Sequence, residues 1–111
     1  MIIIMRTTGI NKTVKLQTCQ GVEFAHQNLR KLLEARQVHI ECDQLNRGFI
    51  LANPGLVKGF LANDIELSIR KKYDSITEVK LTYYESKHIL KRLFIRQNAR
   101  SLFRDMQKIL S

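Results

Sequence analysis

The longest run of helically spaced apolar residues outside the C-terminal tail follows the single proline, Pro54. Asn53 has a side chain suited to capping a helix. Proline suits the first helical position, because the amide hydrogen that it lacks would have no partner there. Apolar residues then recur every three to four positions until the cationic run 70–72, whose charges would complement the helix dipole. The sequence therefore predicts a helix over residues 54–72.

Alternation of apolar and polar residues predicts strands on both sides of this helix. Residues 38–43 alternate, and a turn at 46–48 leads to the short apolar run 49–52, so we expect these segments to pair as a hairpin. Residues 76–83 alternate in the same way and predict a third strand. The residues predicted to face inward on that strand are Val79, Leu81 and Tyr83.

Two helices are predicted upstream of the hairpin. Residues 22–36 form the clearer one. Its apolar face is made of Phe24, Leu29, Leu32 and Leu33. The segment 10–18 is ambiguous, because Val14 and Leu16 alternate as in a strand, whereas Ile10 and Val14 share one face of a helix. The helix is favoured there.

The tail, residues 86–111, has the spacing of an amphipathic helix. Its apolar stripe consists of Ile95, Ala99, Leu102, Phe103, Met106, Ile109 and Leu110. A neighbouring face repeats a cation every four residues, at Arg92, Arg96, Arg100, Arg104 and Lys108. The tail holds seven of the 19 cationic residues and one acidic residue, so it contributes +6 of the total charge of +9.

The predicted fold class is α/β (α+β). We expect a small KH-like domain over residues 1–85, with two N-terminal helices and a three-stranded sheet that one inserted helix covers. A basic amphipathic helix over residues 86–111 follows it. A chain of 111 residues has room for one domain with a core that needs no disulfide or metal.

Charge and cysteine content narrow the class of protein. A charge of +9 and a pI near 9.9 favour an acidic partner such as nucleic acid. Two cysteines do not make a disulfide framework, and we interpret both as core thiols. No apolar run is as long as a membrane span or a signal peptide, so the expected location is the cytoplasm, with no membrane partner.

Sequence patterns of catalysis are missing. There is no glycine-rich loop followed by Lys-Ser/Thr, and no GxxG loop of the kind that lets KH domains clamp single-stranded RNA. His26, His39 and His88 are scattered, without a second ligand at zinc spacing. We therefore expect a binding protein that is not an enzyme and takes no metal, cofactor or small-molecule substrate.

The basic tail admits three interpretations. Its cations can neutralise phosphates, they can form a solvated face of a helix docked on the sheet, or the apolar stripe can bind in another protein's groove. The pair Tyr83 and Tyr84 offers either a stacking surface for bases or ordinary core-and-surface alternation. The run 70–72 is either a second basic cluster or simply the end of a helix.

Three segments resemble the DciA-like family of bacterial operators of the replicative helicase, over about residues 22–110. HIECDQLNRGFILANPGLVKGFLANDIELSIRKKY resembles its hairpin and proline-started helix, ITEVKL its closing strand, and IRQNARSLFRDMQKIL its C-terminal helix. Leu56 stands where the family often has tryptophan. FILANPGLVKGFLANDIELSIRKKY is also similar to the KH-like first domain of the DnaA initiator.

This resemblance implies a factor without ATPase activity that helps to load the replicative DNA helicase and contacts single-stranded or forked DNA. The alternative is an RNA-binding KH-like module in translation or RNA processing, and a third possibility is a protein-interaction adaptor. The oligomeric state stays open. The predicted nucleic-acid-binding residues are Lys87, Lys91, Arg92, Arg96, Arg100, Arg104 and Lys108, with Arg70, Lys71 and Lys72.

Overall fold

A computed structural model describes residues 4–8, 11–57, 59–85 and 88–111. Its elements in chain order are β1 (Ile4–Thr8), β2 (Asn11–Thr18), α1 (Val22–Ala35), β3 (His39–Gln44), β4 (Phe49–Asn53), β5 (Leu56–Val57), β6 (Phe60–Leu61), β7 (Ile65–Tyr73), β8 (Ile76–Tyr84) and α2 (Ile89–Leu110). A 3-10 turn, Leu45–Arg47, connects β3 to β4. The described chain is thus a small α+β domain.

The described strands form one antiparallel sheet of six strands, in the order β1-β2-β8-β7-β4-β3. β5 and β6 pair separately as a short ribbon. Within the six-stranded sheet, strands that follow one another along the chain are neighbours except β2 and β3, which α1 separates; the ribbon β5–β6 is inserted between β4 and β7, and β8 returns to pair with β2. Both helices contribute to a hydrophobic core on one face of the sheet.

Residues of alternate positions on the strands build the sheet side of this core, as expected for period-two alternation. They include Val14 and Leu16 of β2, Leu67 and Ile69 of β7, and Val79 and Leu81 of β8. The helices supply Ala25, Leu29 and Leu33 of α1, and Ile95, Ala99, Leu102, Met106 and Leu110 of α2. α2 is therefore an integral layer of the core.

The helix predicted over residues 54–72 is wrong. The last part of this segment is β7, in which Ile65, Leu67 and Ile69 are buried and the residues between them are not. Its period is two. Asn53 does not cap a helix: its Oδ1 accepts a hydrogen bond from the amide of Gly55, at 2.7 Å, in a local turn. The cations at 70–72 consequently lie at the end of a strand.

The helix favoured over residues 10–18 is also wrong, and Ile10 lies outside the described residues. β2 buries Val14, Leu16 and Thr18 on one face and pairs with β8 along its length. For the described residues, the expectation of two N-terminal helices and a three-stranded sheet is corrected to one N-terminal helix and a six-stranded sheet. Without the inserted helix, the KH-like arrangement of elements is not formed.

Other predicted elements are confirmed: α1, the β3–β4 hairpin, β8 with its three inward residues, and the C-terminal helix. The hairpin depends on Gly48, which has a φ of +62°. An added Cβ there would lie 1.8 Å from the carbonyl oxygen of Ile69, so glycine is needed both for its conformation and for the close approach of β7.

Candidate nucleic-acid interface

The C-terminal end of α2 is fixed by hydrogen bonds from the end of β2. The last carbonyls of a helix have no partner within it. Here the Thr18 hydroxyl donates to the carbonyl of Leu110, and Gln20 Nε2 donates to the carbonyl of Ile109 at 2.9 Å. The Thr77 hydroxyl of β8 in turn donates to the carbonyl of Gln20 at 2.7 Å. The orientation of the last turns of α2 is therefore set by the sheet.

Two ion pairs fix α2 on its other sides. Arg36, which follows α1, donates to Oδ2 of Asp105 at 2.6 Å and to the Ser101 hydroxyl at 3.3 Å. Arg96 donates from Nε and Nη2 to Oε1 of Glu85, which follows β8, at 2.9 and 2.7 Å. The face of α2 between these two anchors and away from the core is left to solvent.

Glu85 is the point at which two cations converge. Lys12 Nζ of β2 lies 3.0 Å from the same Oε1 atom that Arg96 binds. Partial burial of the Glu85 carboxyl opposes its ionisation, but the hydrogen bonds from Arg96 and Lys12 prevail and hold its pKa below the ordinary value of 4.5. The carboxylate is thus charged at neutral pH and neutralises part of the basic face predicted for the tail.

The exposed face of α2 carries a row of three cations, Arg100, Arg104 and Lys108, which we call the basic ridge. All three are exposed, and none forms an ion pair with any residue that the structure describes. Successive members are four residues apart, or about 6 Å along the helix axis. Three positive charges therefore lie on the exposed side of a helix that the core holds in place, within about 80° of its circumference.

The other predicted tail cations lie elsewhere. Lys91 and Arg92 are half-buried near the start of α2, and Arg96 is bound by Glu85. Lys87 lies outside the described residues. The spacing of exactly four residues explains the division, because each step of four turns 40° around a helix of 3.6 residues per turn. The row therefore begins beside the core at Arg92 and reaches solvent only at its last three members.

The three cations at the end of β7, Arg70, Lys71 and Lys72, form what we call the strand-end cluster. It differs from the basic ridge because acidic side chains lie close to its cations. Arg70 and Lys72 lie 3.6 and 3.5 Å from the carboxylate of Glu78, and Lys71 lies 3.8 Å from Asp74. These pairs lower the local excess of positive charge. The structure does not bring this cluster onto the face of α2 that carries the basic ridge.

The aromatic residues expected to offer a stacking surface are largely covered. Tyr83 is only 4% exposed and Tyr84 is half-buried. Burial raises the pKa of the Tyr83 phenol above 10.0, Glu85 raises it further, and Arg96 and Arg100 oppose the rise. Tyr83 is therefore an uncharged core residue at neutral pH.

Two other aromatic side chains are exposed instead. Phe24 is 58% exposed and Tyr73 is 63% exposed. The sequence placed Phe24 on the apolar face of α1, which is wrong. The buried positions of α1 are Ala25, His26, Leu29 and Leu33. The sequence did contain a signal for this: Ala25, Leu29 and Leu33 recur every four residues, and Phe24 lies one position outside that stripe.

An apolar surface lies at the other end of α2. Ile89, Leu90 and Leu93 of its first two turns are exposed, and so is Leu56 of β5, a strand that lies against α2. We call these four residues the apolar end. Gln97 separates the apolar end from the basic ridge on the exposed side of α2.

A comparison with models of protein families finds no family that matches this chain, and a comparison with curated proteins finds no matching sequence. The resemblance to the DciA-like family therefore stays an expectation from the sequence.

One buried polar pair connects α1 to β3. His26 Nε2 lies 2.5 Å from Oδ1 of Asp43, and Arg30 Nε, one turn further along α1, lies 3.5 Å from Oδ2. The described residues contain no group of three or more His, Cys, Asp or Glu side chains placed to hold a metal ion. The His26–Asp43 pair holds α1 against β3, at the edge of the sheet.

None of the described helices is long and apolar enough to cross a membrane.

Proposed function

We propose that this chain is a non-enzymatic DNA replication factor that binds single-stranded or forked DNA through the basic ridge and the replicative DNA helicase through the apolar end. The observation that carries the first part is a row of three exposed cations, which form no ion pair with a described residue, on a helix that the core fixes. The chain's excess of positive charge, +9 in total, supports it.

Phosphate binding by the basic ridge follows from elementary electrostatics. Each Lys or Arg that neutralises a phosphate releases condensed counterions, which makes binding favourable, sensitive to salt and insensitive to base sequence. Cations already paired with carboxylates contribute less, because a phosphate must compete with the internal partner. For this reason Arg100, Arg104 and Lys108 are expected to contribute more than Arg96 or the strand-end cluster.

The apolar end supports a protein partner. Together its four side chains expose on the order of a few hundred Å² of apolar surface, a size at which a patch on a protein is often functional. The identity of the partner comes from the DciA-like resemblance. That resemblance now rests on the hairpin, the closing strand and α2, because the proline-started helix is not formed.

A titration and a sedimentation experiment test the two parts of this proposal. A fluorescent single strand of about 15 nucleotides is titrated with the chain across about 50 to 200 mM salt, and affinity is expected to fall steeply with salt. The helicase is then sedimented with and without the chain, on fork DNA, where a saturable complex is expected. Absence of strand binding would exclude the first part, and absence of the complex would exclude the second.

RNA is the alternative ligand, because a single strand of RNA presents the same phosphates to the basic ridge. The titration is therefore repeated at the same salt with an RNA strand of matched sequence and with an RNA hairpin of the same length. Tighter binding of structured RNA than of single-stranded DNA would favour a role in translation or RNA processing.

A further inference from the structure

A groove lies between the two exposed aromatic rings, at the end of the sheet where β2 and β7 finish. Phe24 stands on the first turn of α1 and Tyr73 at the end of β7, and both line the groove together with Gly21, Gln27 and Ile76. Its volume is about 610 Å³, which is within the range of sites that bind small organic groups. Two separate elements thus present aromatic side chains to one space.

Packing does not explain the exposure of either ring. The core face of α1 is filled by its stripe of buried residues, so a small or polar residue would satisfy folding at position 24. Tyr73 follows an irregularity in the pairing of β7 with β8 between Lys71 and Tyr73, at the turn between the two strands. The ammonium of Lys72 lies 5.8 Å from the centroid of the Tyr73 ring, within the range of a cation–π interaction.

The groove is continuous with the end of α2. A neighbouring groove shares Cys19, Gln20 and Phe24 with it and extends to Leu110 and Ser111. Phe24 therefore separates the aromatic groove from the last turn of α2. Lys108, the last member of the basic ridge, lies in that turn, so the ridge and the neighbouring groove both reach the C-terminal end of α2.

The charges of the groove indicate what it would bind. Its lining includes Lys71, but also Asp74 and Glu23, so it offers no excess positive charge to a phosphate. Aromatic faces without excess charge suit an uncharged planar group. In single-stranded nucleic acid that group is the base, and stacking on aromatic side chains is tolerant of base identity.

We propose that the groove between Phe24 and Tyr73 holds an unpaired base of a single strand whose phosphates lie along the basic ridge. This inference rests on the proposed function, because it names the part of the ligand that the ridge does not contact. Bases would stack on the two rings while Arg100, Arg104 and Lys108 neutralise the backbone. DNA and RNA both present this chemistry.

The test compares two strands of equal length and charge, oligothymidine and the same backbone without bases. The full chain is expected to bind oligothymidine more tightly than the abasic strand. Replacing either ring, in Phe24→Ala or Tyr73→Ala, is expected to lower the affinity for oligothymidine roughly tenfold and to leave the affinity for the abasic strand unchanged. Phe24→Trp, which keeps an aromatic face, should restore binding.

Leu45→Ala is the matched control, since it removes an exposed apolar side chain that does not line the groove. Neither ring carries charge, so the salt dependence of binding should be the same in the alanine variants as in the unaltered chain. Oligouridine in a parallel titration shows whether the groove prefers RNA. Circular dichroism confirms that each variant is folded.

The outcomes separate the groove from the ridge. If the chain binds both strands equally, or if the alanine variants bind oligothymidine as well as the unaltered chain does, the base-binding groove is excluded while phosphate binding stands. If Phe24→Ala also binds the abasic strand more weakly, the base-binding groove is contradicted, because the ring would then affect the fold of the protein and not a contact with a base. If neither strand binds, both the base-binding groove and phosphate binding by the basic ridge are excluded.

Discussion

Arg96 of α2 donates two hydrogen bonds to a single oxygen of Glu85, at 2.9 and 2.7 Å, where the sequence alone placed it in a row of phosphate-binding cations. Lys12 approaches the same oxygen. One carboxylate thus holds β2 and α2 together, and it removes Arg96 from the basic face. The charge that remains available lies further along the helix.

Replacing Glu85 with glutamine should lower the free energy of unfolding at pH 7 by about 1 kcal/mol, the scale of a partly exposed charged hydrogen bond. Because the pKa of Glu85 is lower in the folded chain than its ordinary value of 4.5, its charge stabilises the fold above that value. This contribution is lost as the pH falls through the lowered pKa.

Urea unfolding at pH 7 and near pH 3 measures this effect. The difference between Glu85→Gln and the unaltered chain should shrink at the lower pH. Glu34→Gln, in the exposed pair with Arg30, is the control and should change little at either pH. An equal deficit at both pH values would show that the variant acts by packing.

Truncating the buried face of α2 should destabilise the whole domain. Leu102→Ala or Met106→Ala removes a side chain with almost no exposure and should lower the free energy of unfolding by about 2–5 kcal/mol. Leu93→Ala, on the exposed face of the same helix, should change it by less than about 0.5 kcal/mol. Equal, small effects at all three positions would mean that α2 does not belong to the core.

Gly48 should tolerate no side chain. Gly48→Ala combines a left-handed backbone with a contact of 1.8 Å to the carbonyl of Ile69, and we expect a loss of at least about 2 kcal/mol. Gly21→Ala meets nothing within 4 Å and should lose less, since only the preference for glycine at a helix N-cap is affected. Thermal unfolding of the two variants compares them, and equal losses would contradict the close approach of β4 and β7.

The apolar end should matter for a protein partner and not for DNA. The double variant Leu90→Ser, Leu93→Ser should weaken sedimentation with the helicase and leave the affinity for a single strand unchanged. Leu45→Ser, an exposed leucine outside this surface, serves as the control. If the helicase is retained as well as before, docking through the apolar end is excluded.

Local patterns predicted the elements whose periodicity is unambiguous. β8 alternates over its whole length, and α2 has an apolar stripe at helical spacing over 22 residues, so both were found from sequence. Residues 54–72 failed because two signals pointed to a helix: an Asn-Pro start and approximate 3–4 spacing. In the structure Asn53 closes a turn, and two short strands precede β7.

The candidate site depends on tertiary contacts that local sequence patterns do not reveal. The row of tail cations was predicted, and the helical turn of 40° for each step of four accounts for which members reach solvent. The pairing of Arg96 was missed, because it depends on Glu85, which lies one residue outside the tail as we defined it. The exposed pair Phe24 and Tyr73 comes together only through the packing of α1 beside the β7–β8 turn, 49 positions apart in the sequence. No local pattern carries that information.

The most direct test of phosphate binding by the basic ridge is the salt dependence of single-strand affinity in two variants with the same net charge. One replaces Arg100, Arg104 and Lys108 with glutamine. The other, the control, replaces Lys15, Lys31 and Arg47 with glutamine. These three cations also form no ion pair with the described residues, but they lie away from α2.

Each phosphate contact with a single strand contributes about −0.7 to the slope of log affinity against log salt. We expect the ridge variant to bind about equally weakly to all sequences and to have a slope shallower by about 2, whereas the control variant keeps most of the original slope. Equal changes in the two variants would contradict the account, because binding would then follow net charge and not the ridge.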